Sequence, residues 1–446
     1  MSMREPSATR SACWSEERAE RQLRSLELFG MRFGLDRMRA MMSEMGEPEH
    51  TFDAIHVLGT NGKSSTTRMI AAILARHGLR TASYTSPHLV EYRERVEIGE
   101  RKLQAEDFAA AVQHAAAAAA RVEATLAPDD RVTQFEELTA AAVWAIARER
   151  VDVAAIEAGL GGRYDATSVV PAKVTVLTNV ALEHTRWLGS TITEIAEEKL
   201  AVVPPKGVLA LGAELEADAL RVAERVARER DARIVRADLE RALPPLRAGG
   251  VFQRANFALA RAAAEAYLEQ THPDRLRGSE HERALRDAAA ETEVAGRFEV
   301  ISNDPLTILD GAHNPAAVDV LADSLGDVLG GRPLTLVMGV LEDKDAESML
   351  ARLLPLCERA WFTQPNSERA RPPAALAKLA VEMGFDRVSC EPQPDSALLA
   401  AQRFAKRRGG AVLATGSVYL AGDLFAGLRA RARRAPVTVP ERSARA

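Results

Sequence analysis

The most telling segment of the chain is residues 55–65, with the sequence IHVLGTNGKSS. Its first four residues are apolar and stop at a glycine, which predicts a short buried parallel strand. The residues after the loop, up to His77, have the apolar spacing of a helix. Backbone N–H groups at such a helix start point at phosphates, Lys63 can reach their charge, and the Ser64 hydroxyl can meet a magnesium ion. The segment therefore predicts a site for a nucleoside triphosphate.

The loop departs from the strict phosphate-binding pattern G-x-x-x-x-G-K-[ST] at one position, because Val57 stands where the first glycine is required. The chain matches the shorter form G-T-N-G-K-[ST] instead. Gly-Lys-Ser also occurs in loops that bind nothing. Its place between a predicted strand and a predicted helix favours phosphate binding here.

Length and composition bound the class of protein. A chain of 446 residues exceeds what one hydrophobic core supports, and we predict two domains. A hydrophobic content of 47% and a charged content of 27% are typical of a soluble globular protein. The net charge of -5 argues against a nucleic-acid partner, so we expect small-molecule partners.

Cysteine use and the absence of targeting signals indicate the compartment. Cys13, Cys357 and Cys390 are far apart and fit neither a disulfide framework nor a zinc site. No signal peptide is visible, and no apolar run approaches the length that spans a bilayer. We therefore expect a cytoplasmic protein with no membrane partner.

The hydrophobic pattern alternates between strands and helices, which predicts an α/β fold with a parallel sheet. Strands are expected at 153–156 and 174–177, and helices at 138–148 and 192–203. Residues 109–120 are almost all alanine, and we expect them to form a surface helix.

A charge-rich stretch, 274–289, interrupts this alternation before further strands follow at 306–309, 334–339, 360–363 and 411–414. We predict a phosphate-loop ATPase domain with a parallel sheet over 1–295 and a smaller, Rossmann-like α/β domain over 296–428. The remaining residues, 429–446, are rich in arginine and include two prolines, and we expect a disordered basic tail.

Polar residues follow several predicted strands, where ligands sit in open α/β sheets. Ser86 lies in the turn TSPHL after the second strand, and His184 follows a later one. Glu136 and Glu137 open a helix, and we expect only one of them to face inward. Each signal alone is weak, because ordinary turns, solvated first-turn acids and structural histidines are common.

Three further segments carry stronger signals. Residues 157–167, EAGLGGRYDAT, place three glycines before an arginine and an aspartate, which favours a binding loop over a simple turn. Lys199 is followed by apolar residues, and a buried lysine is costly unless it is paired or modified. In the second domain, 310–315 (DGAHNP) and 339–345 (GVLEDKD) each follow a strand, which suggests a site between the domains.

Taken in order, GTNGKSS, TSPHL, QFEE, EAGLGGRYDAT, LEHTRWLG, EEKLAVV, GRFE and DGAHNP resemble the folylpolyglutamate synthase and dihydrofolate synthase family of the Mur ligase superfamily. The resemblance runs from about Phe33 to Gly422. It implies an ATP-dependent ligase of folate biosynthesis that joins L-glutamate to dihydropteroate, to reduced folates, or to both. It also implies an acyl-phosphate intermediate, ATP and Mg²⁺ as cofactors, and a monomer.

The resemblance assigns roles to individual residues. It places the nucleotide on Gly59, Thr60, Asn61, Gly62, Lys63, Ser64, Ser65, Asn256, Arg297 and Asp310, and magnesium on Ser86, Glu136 and His184. Substrate-side residues are Gly34, Leu35, Asp36 and Arg37 in a pterin-side segment, with Gly161, Gly162, Arg163 and Asp165 in the glycine loop. Catalytic roles fall to Lys63, Lys199 and His313, and Lys199 matches a lysine that is carbamylated in this family.

The chain departs from the family pattern at several positions. The family usually has glycine at Ser64, histidine at Phe252, aspartate at Glu183 and asparagine at Ser168. None of these changes removes a charge expected to bind phosphate or metal, and Ser64 adds a hydroxyl to the loop.

Two other functions stay open at this point. A Mur-type ligase acting on a UDP-muramyl substrate would normally carry a further domain before the loop. A P-loop ATPase that performs no ligation would leave EAGLGGRYDAT and DGAHNP without a role, and it would hydrolyse ATP whether or not glutamate is present.

Overall fold

The computed structural model describes residues 13–26 and 33–434. The chain divides into two compact units, Met1–Arg247 with Gln253–Glu293, and Ala248–Phe252 with Val294–Ala446. The second unit thus consists of the short segment Ala248–Phe252 and the chain from Val294 onward. Each unit is an α/β fold with one parallel-dominated sheet, as the sequence predicted.

The sheet of the first unit has eight strands in the order β4-β3-β2-β5-β1-β6-β7-β8. The strands are β1 Asp53–Leu58, β2 Thr81–Tyr84, β3 Val96–Ile98, β4 Arg101–Lys102, β5 Val153–Glu157, β6 Ala172–Leu177, β7 Val208–Leu211 and β8 Arg233–Arg236. β1 lies in the middle and pairs in parallel with β5 and β6, whereas β3 pairs antiparallel with β2 and β4. β5 is buried at every residue, as a central parallel strand covered on both faces is expected to be.

Ten helices belong to this part of the described chain. They are α1 Glu16–Ser25, α2 Asp36–Glu44, α3 Lys63–Arg76, α4 Ala105–Glu123, α5 Gln134–Arg148, α6 Thr185–Leu188, α7 Ile192–Leu200, α8 Ala217–Arg230, α9 Phe252–Thr271 and α10 Gly278–Glu291. The expectation of a surface helix at 109–120 is wrong for one face of α4. Ala111, Ala115 and Ala118 are buried in the core shared with α5, because small side chains let two helices approach closely.

The second unit has a six-stranded sheet in the order β13-β12-β11-β14-β10-β9, with β9 antiparallel to β10. Its strands are β9 Glu299–Asn303, β10 Leu306–Leu309, β11 Leu334–Met338, β12 Cys357–Phe362, β13 Val388–Cys390 and β14 Ala411–Thr415. Its helices are α11 Pro315–Leu329, α12 Ala346–Leu353, α13 Pro373–Glu382, α14 Pro394–Arg408 and α15 Val418–Arg434.

The predicted tail is partly helical. α15 continues to Arg434, so residues 429–434 correct the expectation of disorder, while 435–446 lie outside the described residues. The arginines expected in a solvated tail, up to Arg434, instead extend this helix. Arg431 pairs with Asp395 of α14 at 2.8 Å. Among the helices described, none has the length and apolar character needed to cross a bilayer.

Candidate active site

The phosphate loop joins β1 to α3 and is shaped by two glycines with positive φ. Gly59 has φ +146°, and a Cβ there would overlap the Thr178 hydroxyl. Gly62 has φ +81° and forms the N-cap of α3, and a Cβ there would overlap the side-chain oxygen of Asn256. Glycine is required at both positions for conformation and for space. The N-terminal N–H groups of α3 therefore open directly from the loop, as anion binding requires.

The segment after β6 holds this loop in place. The Asn61 N–H donates to Asn179 Oδ1 at 2.9 Å, and the Thr60 N–H donates to the carbonyl oxygen of Asn179 at 3.0 Å. The Thr178 hydroxyl donates to the carbonyl oxygen of Asn61 at 2.6 Å. Sequence reasoning gave Thr178 and Asn179 no role. The only sequence signal for that role is their position directly after a buried parallel strand.

Two lysines converge on one carbonyl of the loop. Lys63 Nζ donates to the carbonyl oxygens of Gly59 and Thr60 at 3.1 and 3.0 Å, and Lys199 Nζ donates to that of Gly59 at 2.8 Å. Lys199 is 4% exposed on α7, which bears out the inward orientation inferred from its apolar neighbours. Burial lowers the pKa of Lys199 to about 7, and the charge of Lys63 acts in the same direction.

Glu157 is the carboxylate that the structure brings to the loop. It ends β5, is 2% exposed, and accepts hydrogen bonds from the Ser64 hydroxyl and the Ser86 N–H, each at 3.1 Å. It therefore joins the start of α3 to the turn after β2. In the sequence, Glu157 stands out only as the first residue of the glycine-rich segment, and its contact with the phosphate loop was not predicted.

Glu136, the expected magnesium ligand, is engaged elsewhere. Its carboxylate lies 3.0 Å from Arg37 in a buried ion pair and accepts from the N–H and hydroxyl of Thr133 at 2.8 and 2.9 Å, forming the capping box of α5. Arg37 also pairs with Asp130 at 3.1 Å. Glu136 thus caps α5 and pairs with the buried Arg37, and the magnesium and pterin-side roles that the resemblance gives these two residues stay predictions.

The neighbouring Glu137 contradicts the expectation that only one acid of the pair faces inward. It is 1% exposed and accepts from Gln22 Nε2 of α1 at 3.1 Å. Burial raises the pKa of Glu137 to about 7. The first turn of α5 buries both carboxylates because α1 packs over it, which the local sequence of α5 does not reveal.

The glycine loop after β5 is built around Asp165. This side chain is 5% exposed and accepts from the Leu160 N–H at 2.7 Å and the Thr167 N–H at 3.0 Å, so it folds the loop. Burial raises the pKa of Asp165. A Cβ at Gly162 would overlap the backbone oxygen of Lys199, so the glycine seats the loop on α7. Arg163 points outward and pairs with Glu198 at 3.1 Å.

Three half-exposed aromatic side chains from three separate segments meet near this loop. Phe33 lies 6.0 Å from Tyr164 and 5.5 Å from Trp187 between ring centroids. They are 46%, 48% and 40% exposed, respectively. Of the pterin-side residues, Gly34 and Leu35 lie directly after Phe33 ahead of α2, and the side chain of Asp36 is almost fully exposed.

His184 precedes α6 in a left-handed conformation, with φ 52°, and is exposed. Within residues 13–26 and 33–434, no three His, Cys, Asp or Glu side chains are grouped to hold a metal ion.

In the second unit, Asp310 organises the turn after β10. It is buried and accepts from the N–H groups of Phe298 and Ala312, each at 2.7 Å. Burial raises the pKa of Asp310, whereas the charge of Arg297 lowers it. His313 Nδ1 lies 2.9 Å from the carbonyl oxygen of Gly311, so Asp310 and His313 share this turn. The Arg297 guanidinium reaches the same turn, where it lies beside Gly311.

Comparison with known proteins matches both units. The Mur ligase middle domain matches residues 57–209, and the Mur ligase glutamate ligase domain matches residues 296–418. The dihydrofolate synthase/folylpolyglutamate synthase of Bacillus subtilis is 31% identical over 89% of this chain and 95% of its own length. The chain belongs to the folylpolyglutamate synthase/dihydrofolate synthase family. The Mycobacterium tuberculosis member is 33% identical over 79% of each chain.

Other relatives of the family are longer. The probable bifunctional folylpolyglutamate synthase/dihydropteroate synthase of Haloferax volcanii is 33% identical over 84% of this chain, which spans 47% of that protein. Among solved structures, folylpolyglutamate synthase of Mycobacterium tuberculosis with ADP and AMPPCP superimposes with a TM-score of 0.84 at 30% identity, covering 93% of this chain and 99% of that one. A bifunctional synthase with Mn, AMPPNP and L-glutamate bound gives a TM-score of 0.77 at 28% identity, covering 92% and 98%.

Proposed function

We propose that this protein is an ATP-dependent amide ligase that adds L-glutamate to dihydropteroate, to reduced folates, or to both. The observation that carries the proposal is the convergence of Lys63, Lys199 and Glu157 on the phosphate loop. Related structures contain ADP, nucleotide analogues, DHPP, a metal and L-glutamate, which supports the same substrates here. The decisive assay is ADP release with glutamate and each acceptor in turn.

The reaction proceeds in two steps. A carboxylate oxygen of the acceptor attacks the γ-phosphorus of ATP, the bond to the β–γ bridging oxygen breaks, and an acyl phosphate and ADP form. The glutamate amine then attacks the acyl carbon, loses a proton, and expels phosphate as the amide forms. Lys63 neutralises charge on the transferred group, while the N–H groups of α3 orient it. Water must be excluded, because an acyl phosphate hydrolyses readily.

The loop has the donor chemistry for Mg²⁺. The Glu157 carboxylate contacts the Ser64 hydroxyl and the backbone N–H of Ser86. Mg²⁺ prefers oxygen ligands while keeping several waters and phosphate oxygens. We assign the carboxylate ligand to Glu157, with Ser86 and His184 retained from the family pattern. When bound, the ion would neutralise phosphate charge.

Asn256, Arg297 and Asp310 are proposed to bind the nucleotide, and His313 to act toward the incoming glutamate. Support for Asn256 is its contact with Gly62 of the loop. Phe33, Tyr164 and Trp187 provide an exposed aromatic surface for the ring system of a pterin acceptor, and aromatic rings pack against such surfaces through stacked or edge contacts. Gly34 and Leu35 follow Phe33 directly, and Gly161 lies in the same loop as Tyr164.

Lys199 is proposed to be carbamylated. Its neutral amine attacks CO₂, forming an N–C bond and releasing one proton, and the product is an anion. The lowered pKa, about 7, supplies neutral amine at physiological pH. The resulting carboxylate would lie beside Lys63, whose positive charge disfavours the protonated form of an unmodified Lys199.

Equilibration with ¹³C-bicarbonate is therefore expected to give one carbamate ¹³C resonance in the wild-type protein. Its intensity should rise as pH rises through about 7, because protonated lysine does not react. Lys199→Arg should lack the resonance, whereas Lys173→Arg, at a surface lysine paired with Asp53, should retain it. A wild-type spectrum without a carbamate signal at saturating bicarbonate would refute the modification.

A further inference from the structure

Three hydrogen-bond contacts in series connect two buried histidines at the C-terminal end of α3, outside the nucleotide site. His77 Nδ1 lies 2.8 Å from the carbonyl oxygen of Ile73, and His77 Nε2 lies 2.9 Å from His281 Nδ1. His281 Nε2 lies 3.0 Å from Glu265 Oε1. His77, His281 and Glu265 belong to the C-cap of α3, to α10 and to α9, so the series joins three helices.

The number of protons in this series follows from its two ends. The carbonyl oxygen of Ile73 only accepts, so His77 Nδ1 carries a proton. Glu265 Oε1 is an acceptor, since it also accepts from Arg261 Nε at 2.7 Å, and His281 Nε2 must therefore donate to it. The nitrogen-to-nitrogen contact in the middle needs one more proton. Three protons on four ring nitrogens leave one of the two rings as an imidazolium.

The positive charge belongs to the ring that faces Glu265. Burial lowers the pKa of His77, and the positive charges of His281 and Arg275 act in the same direction. His77 is then the neutral ring, donating through Nδ1 and accepting through Nε2. His281 donates through both nitrogens, to His77 and to the carboxylate.

Charged groups face the pair from each neighbouring element. Arg275, from the turn Pro273–Leu276, donates to the carbonyl oxygen of His77 at 2.5 Å. On α3, Arg76 pairs with Glu100 and Glu291. On α9, Arg261 pairs with Glu265 and with Glu282 of α10. Arg241 also pairs with Glu265. Of these, the Glu265 carboxylate is the group in hydrogen-bond contact with an imidazole nitrogen.

We propose that His77 and His281 share one extra proton, and that the resulting imidazolium clamps the C-terminal end of the phosphate-loop helix α3 to α9 and α10. The charged His281 ring contacts the C-cap residue of α3, His77, and a cation beside a helix C-terminus is favourable because the helix dipole is negative there. At its other end, α3 meets the same helix α9 through Gly62 and Asn256. α3 therefore contacts α9 at both ends, through the clamp at its C-terminal end and through Gly62 and Asn256 at its N-terminal end.

The sign of the pH dependence follows. Loss of the shared proton leaves two protons for three contacts, so two lone pairs face each other at one of them. The contact count therefore implies that the clamp is complete only while the pair holds the extra proton.

¹⁵N NMR of the imidazole nitrogens in histidine-labelled full-length protein tests the proton count directly near neutral pH. We expect three protonated ring nitrogens and one unprotonated nitrogen from the pair, assigned by their loss in His77→Gln and His281→Gln. His50→Gln, at an exposed histidine, should leave these signals unchanged. Two protonated and two unprotonated nitrogens would overturn the proposal, and this reading comes from the wild-type protein even if a variant does not fold.

Thermal unfolding supplies a second reading that does not depend on enzymatic activity. His281→Gln is expected to lower Tm by roughly 3–6 °C at about pH 6, with at most half of that loss at about pH 9, where the wild-type clamp has also lost its proton. Equal losses at both pH values would contradict the clamp, because they would show a contribution independent of protonation.

Discussion

Replacing Lys63 with alanine is expected to lower kcat by about 10³-fold or more. Lys63 Nζ lies at the loop, 3.1 and 3.0 Å from the carbonyl oxygens of Gly59 and Thr60, so alanine removes the positive charge held there. Phosphoryl transfer depends on positioning and on charge neutralisation, and alanine removes both contributions of this residue. The measurement is glutamate-dependent ADP formation at saturating ATP.

Lys173→Ala is the matched control for this variant. Lys173 lies at the start of the neighbouring strand β6 and pairs with Asp53 at 2.9 Å, with 43% of its side chain exposed. Its loss should leave kcat within about twofold of wild type, since surface ion pairs contribute little. Substantial glutamate-dependent ADP formation by Lys63→Ala would refute the catalytic role of Lys63.

Glu157→Gln is expected to lower activity without lowering stability, and Glu136→Gln is expected to lower stability. Glu157→Gln should keep Tm near the wild-type value, because the amide oxygen can still accept from the Ser86 N–H while the amide NH₂ donates to the Ser64 hydroxyl oxygen. Its kcat should fall by about 10²-fold, because the anionic oxygen is lost. Glu136→Gln should cost roughly 2–4 kcal/mol of unfolding free energy, because it leaves the buried Arg37 without its closest counter-charge.

Each variant serves as the control for the other, since both remove one buried carboxylate charge in the same unit. Activity of Glu157→Gln should recover in part as Mg²⁺ is raised, whereas Glu136→Gln should show no such dependence. The opposite pattern, with full activity in Glu157→Gln and a metal-dependent defect without loss of Tm in Glu136→Gln, would return the metal role to Glu136.

Sequence alone predicted the features that depend on local pattern. The parallel sheet, the loop from β1 to α3 and the inward-facing Lys199 follow from hydrophobic spacing, glycine placement and apolar neighbours. Each of these is decided by a few consecutive residues, and the structure confirms them.

The surroundings of Glu136 and Glu157 depend on contacts distant in sequence. Glu136 pairs with Arg37, and Glu157 meets Ser64, each across more than ninety positions of the chain. In the sequence, the adjacent acids of QFEE are conspicuous, whereas Glu157 is a single acid at the end of an apolar strand. The strand order places β5 beside β1 and thereby brings Glu157 to the loop, and no local pattern encodes that neighbour.

The central claim, ligation through an acyl phosphate, is tested most directly with an acceptor whose carboxylate is labelled with ¹⁸O. The protein is incubated with ATP, L-glutamate and labelled dihydropteroate or a labelled reduced folate, and the released phosphate is analysed by mass spectrometry. We expect one ¹⁸O atom in each phosphate, with ADP and amide formed in equal amounts and no ADP formed without acceptor. Unlabelled phosphate, or ADP release indifferent to glutamate and acceptor, would contradict the ligase function.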